Sequence, residues 1–69
     1  MSLKIINELI ETRINGNSIK GNTTYEAMIK RVRKKEIKHY ILHFDLKEVY
    51  GTKLEMIEQI ARNILNKRV

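Results

Sequence analysis

Cysteine is absent from this 69-residue chain, so neither a disulfide nor a thiolate metal site can staple it. No run of residues approaches the roughly 18 apolar positions of a membrane span, and no signal-peptide pattern opens the chain. The expected protein therefore has no membrane partner and resides in the cytoplasm. The constellations of catalysis are missing too. There is no Ser-His-Asp order, no recommended spacing of paired carboxylates, and no deep-pocket composition, so a non-enzymatic protein without a cofactor is expected. Proline is absent, and there are only three glycines.

What the chain does contain bounds it further. Its length allows one domain over residues 1–69, and a domain this small buries only about 60% of the surface that its unfolded form exposes. A thin core of this kind is often supplemented by a disulfide, a metal or a second subunit. With cysteine absent, a second subunit is the supplement still open. The apolar fraction is 42% and the charged fraction 32%, the balance of a folded, soluble chain.

Helical spacing opens the chain. Leu3, Ile6 and Ile10, with Ile5 and Leu9 beside them, form an apolar stripe over 3–13, opposed by Lys4, Asn7, Glu8 and Glu11. Asn15-Gly16-Asn17-Ser18 ends this helix, and Gly21-Asn22 punctuates again. Residues 13–20 read as connection or as a short hairpin around Gly16-Asn17, with connection favoured. A second helix is predicted over 23–35. Thr23 and Glu26 have the spacing of a capping box, and Tyr25, Met28, Ile29 and Val32 form a narrow stripe.

From Ile37 the residues become β-branched and aromatic, and a strand is predicted over 37–44. It places Tyr40, Leu42, Phe44 and Leu46 on one face and Ile37, His39, Ile41 and His43 on the other. Ile37, Tyr40, Ile41 and Phe44 also fit helical spacing, and no Gly or Pro separates them from the preceding helix. After Gly51, Thr52 and Glu55 make another capping box. Leu54, Ile57, Ala61, Ile64 and Leu65 follow on one helical face, with Ile60 at its edge.

The expected fold is thus a small α+β domain in the order helix, connection, helix, strand, helix. A lone strand leaves backbone groups unpaired. Its partner is either a hairpin near 13–20 or a second copy of itself, which makes a strand-paired homodimer the favoured solution.

Two motif-like features carry little. The segment 16–23 resembles the phosphate-binding pattern G-x-x-x-x-G-K-[ST], but Asn22 stands where the phosphate-contacting lysine belongs. His39 and His43 can share a metal if helical. On a strand they lie about 13 Å apart, and no third ligand joins them. No metal site is expected.

The informative feature is the basic run 30–38. Lys30, Arg31, Arg33, Lys34, Lys35 and Lys38 against the single acid Glu36 give a local charge of +5, when the whole chain carries +6. The other sixty residues hold eight cations and seven acids and are nearly neutral. Charge this concentrated points to a polyanion. Part of it suits a helix C-terminus, but helix capping does not require so many cations. The expected function is a small nucleic-acid-binding protein of regulatory or mobile-element type, with DNA favoured over RNA. The six cations form its site. The alternative is a protein-interaction module that docks on an acidic partner surface through the basic helix or the exposed strand. A helix-turn-helix needs a recognition helix where the pattern reads as strand. A ribbon-helix-helix needs strand, helix, helix in that order. Neither is matched, and no family is identified.

Overall fold

Helical stripes with different phases meet around the N-terminal helix. The computed structural model describes residues 3–68, which form α1 (Leu3–Ile14), α2 (Thr23–Arg31), α3 (Lys34–His43) and α4 (Lys53–Arg68). Among the described residues there is no strand, so the domain is all-helical and the α+β expectation is wrong. Helix α1 sits at the centre, packed against α4, α3 and α2, and α3 also meets α4. Ile6, Leu9 and Ile10 of α1 face Ile37, Tyr40 and Ile41 of α3 and Met56, Ile57, Ile60 and Ala61 of α4. Ile19 and Val49 plug the core from the two long connections.

The residues predicted as strand are α3. A helix makes its own backbone hydrogen bonds, whereas an isolated strand must borrow a partner, and no strand is present to supply one. Helical geometry also removes the two-faced strand that argued for a second copy. Ile37, Tyr40 and Ile41 fall on one side of α3 and are all buried within one chain. A dimer built on strand pairing has no strand to pair, and no hairpin forms near 13–20, where Arg13 and Ile14 close α1.

The predicted second helix is divided. Its helical bonding stops at Arg31, and Val32 and Arg33 are both extended (φ −93°, ψ 137° and φ −98°, ψ 153°). Val32 is 1% exposed, so the break turns its side chain into the core, and α3 then starts in a new direction. Neither Gly nor Pro marks this break. The cap of α2 lies one residue earlier than predicted. Asn22, not Thr23, is the cap, and its Oδ1 accepts from the Thr24 and Tyr25 N–H groups at 3.1 and 3.4 Å. Asparagine is at least as good an N-cap as threonine. Glu26 reaches back to the Gly21 N–H at 2.9 Å, placing a carboxylate in the loop that resembled a phosphate cradle.

The Thr52–Glu55 box forms as predicted. The Thr52 N–H donates to Glu55 Oε1 at 3.0 Å, and the Glu55 N–H donates to Thr52 Oγ1 at 3.2 Å. Gly51 precedes it at φ +109°, and a Cβ there would stand 3.0 Å from the capping carboxylate oxygen. Helix α4 is turned slightly from the predicted stripe. Met56 and Ile60 are central to the core, whereas Leu65 is 39% exposed. Gln59 pins the preceding loop, its Nε2 donating to the Tyr50 carbonyl at 2.6 Å.

Candidate nucleic-acid interface

The basic run straddles the α2–α3 junction. Lys30 and Arg31 end α2, Arg33 is the N-cap of α3, Lys34 and Lys35 begin α3, and Lys38 follows one turn later. All six side chains are exposed. Because the chain is extended at only two residues between the helices, these charges stay together despite the change of direction.

Their electrostatic setting differs on the two sides of the break. Lys30 and Arg31 complement the C-terminal end of α2. Lys34 and Lys35 stand at the N-terminus of α3, where a cation is unfavourable by about 0.3–1 kcal/mol at low ionic strength. The cap there is also half-built. Glu36 Oε1 accepts from the Arg33 N–H at 3.0 Å, but arginine offers no side-chain acceptor in return. The only acid of the run is therefore directed at the backbone, and it is half-buried.

Among the described residues, the ion pairs are Arg13–Glu58 at 3.9 Å and Arg68–Glu11 at 3.8 Å. Neither involves a cation of the run. Lys34 acts at longer range on the first turn of α4. There the Thr52 N–H and then the Thr52 hydroxyl hold the Glu55 carboxyl below its usual 4.5, desolvation opposes them, and Lys34 adds to the depression.

The aromatic rings nearest the run in sequence are not free platforms. Tyr25 is half-buried against the core, as its place in the α2 stripe predicts. Tyr40 is 4% exposed, with its ring 4.6 Å from that of Phe44. The more open hydrophobic side chains, Leu42 at 77%, Tyr50 at 70% and Phe44 at 50% exposed, lie at and beyond the C-terminal end of α3. Leu42 and Tyr50 edge a shallow cleft with Lys38, Ile41, Glu48 and Val49. The strand reading hides this patch, because it puts Leu42 and Phe44 on the same face as Tyr40, which is buried. The signal was the competing helical spacing, which turns Leu42 outward.

His39 and His43 are one helical turn apart on α3, closer than the strand reading placed them. No cluster of three or more metal-ligating side chains occurs among the described residues. No helix among them is long and apolar enough to cross a membrane.

The objection to a helix-turn-helix arrangement also falls, because a helix stands where a strand was expected. Comparison with known proteins adds no relative: no protein family, curated protein or solved structure matches the chain.

Proposed function

We propose that the protein binds nucleic acid, with DNA preferred to RNA, through Lys30, Arg31, Arg33, Lys34, Lys35 and Lys38, and that it acts without catalysing a reaction. The observation that carries this reading is the set of six exposed cations gathered at one helix junction, none of them in the ion pairs found among the described residues. Two of them occupy a helix start that disfavours positive charge, so stability of the fold does not account for them. A polyanion does, since each phosphate neutralised releases condensed counterions. The location proposed with this reading is the cytoplasm.

Fluorescence anisotropy with a labelled 20-base-pair duplex tests the reading across 50–200 mM salt. Engagement of about five phosphates gives a log–log slope near −4 to −5. Replacing Lys30, Arg31, Arg33, Lys34 and Lys35 with glutamine should remove most affinity and flatten the slope, with the melting temperature little changed. Equal binding by the parent and this variant rejects the proposal.

The exposed Leu42, Phe44 and Tyr50 favour a second reading, docking on an acidic protein surface. It predicts retention on heparin without a mobility shift on DNA or RNA.

A further inference from the structure

Helix α3 has a divided circumference. Ile37, Tyr40 and Ile41 are buried, whereas Lys34, Lys35, Lys38, His39, Leu42 and His43 are exposed. At about 100° per residue, Leu42 lies roughly 20° from Lys35 and 40° from Lys38 around the helix. The most exposed large hydrophobic side chain of the described residues, 77% open, therefore stands in the middle of a face whose charged members are lysines. No acid of α3 shares this face, and Glu55 of α4 comes within electrostatic reach only of Lys34 at its edge. Glu36 lies toward the buried side, and Glu48, across the cleft below Leu42, accepts a hydrogen bond from the Tyr50 hydroxyl at 2.9 Å.

Resting on the nucleic-acid reading above, the geometry points to α3 as a helix that enters the major groove of duplex DNA, with Lys35, Lys38 and Leu42 toward the base edges and Lys30, Arg31 and Arg33 on flanking phosphates. A helix with its side chains is about 10–12 Å across, and the B-form major groove is about 12 Å wide. The charge face suits the groove's phosphate walls. Leu42 suits its floor, where the thymine C5-methyl is an apolar group available for contact. A surface of phosphates alone gives Leu42 nothing to meet. An A-form duplex closes its major groove to protein side chains. Single-stranded binding relies on stacking aromatics, and the exposed face of α3 carries no Tyr, Phe or Trp.

The test uses the full chain and 20-base-pair duplexes of one mixed sequence, made with thymine or with deoxyuridine, which lacks only the methyl group. The parent should bind the thymine duplex about three- to fivefold more tightly, the worth of burying about one methyl-sized group. Leu42→Ala should abolish that preference while leaving the salt slope unchanged, because no charge is removed. Lys38→Gln should reduce the slope by about 1. Methyl green, a major-groove ligand, should displace the protein, and netropsin, which fills the minor groove, should not.

Equal affinity of the parent for thymine and deoxyuridine duplexes overturns the groove assignment. So does displacement by netropsin alone, or tighter binding to duplex RNA, to single strands or to phosphatidylserine vesicles. In the nucleic-acid cases the salt slope and its loss on glutamine substitution still stand, so the failure belongs to the pose of α3. Absence of binding to every nucleic acid rejects the underlying reading as well.

Discussion

The Tyr40 hydroxyl donates to Asn7 Oδ1 at 3.0 Å, joining residues 33 positions apart in sequence. This bond ties α3 to α1 at the edge of the core and fixes how α3 is rolled on the domain. Burial, and then the nearby Glu11 carboxylate, push the Tyr40 hydroxyl above its ordinary 10.0. Tyr40→Phe keeps the ring and deletes the bond, so it should cost about 0.5–1.5 kcal/mol. The expected fall in melting temperature is several degrees for a domain of this size. Alkali provides a second readout. The folded chain retains the phenol proton at pH values where the unfolded chain has released it. The stability this contributes is whole below pH 10 and is lost as the pH rises through the higher folded value. Denaturant melts between pH 9 and 11.5 should show a steeper loss for the parent than for Tyr40→Phe.

Adjacent residues on α3 should respond in opposite ways. Ile41 is 5% exposed and Leu42 is 77% exposed. Ile41→Ala should therefore cost about 2–5 kcal/mol, whereas Leu42→Ala should stay within about 0.5 kcal/mol. Chemical denaturation of the two variants checks this directly. A larger loss for Leu42→Ala would show that the helical register assigned to α3 is wrong.

The two helices that end most sharply use the same device with different residues. After α1, Gly16 (φ +87°) donates its N–H to the Arg13 carbonyl at 3.0 Å, and Asn17 donates to Thr12 at 3.0 Å. After α3, Asp45 (φ +51°) donates to Leu42 at 3.3 Å, and Leu46 donates to Ile41 at 2.8 Å. Both are Schellman closures, but an L-residue in the left-handed region costs about 1 kcal/mol relative to glycine. Asp45→Gly should stabilise the protein by about that amount, and Gly16→Ala should destabilise it similarly. Thermal melts of both variants supply the comparison; destabilisation by Asp45→Gly would contradict the assigned closure.

The amino-acid sequence by itself determined α1, the course of α4 and its Thr52–Glu55 cap, because apolar stripes and capping side chains act within a few residues. It also determined the concentration of cations at 30–38, which is a property of order along the chain. It did not settle the conformation of 37–44, where β-branched and aromatic residues satisfy two periodicities. A local signal was present in the phase of the stripe. On an unbroken helix Ile37 would lie about 140° from Val32, well off the narrow stripe of Tyr25, Met28, Ile29 and Val32. Only the tertiary structure placed the break at Val32-Arg33, since burial of Val32 replaces the Gly or Pro that normally marks a turn. The end of α3 was obscured in the same way, with Asp45 where glycine is the familiar sign. Packing against α1 and α4 then decided the rest. It drew Ile37, Tyr40 and Ile41 inward together, and helical geometry necessarily turned Leu42 outward among the lysines.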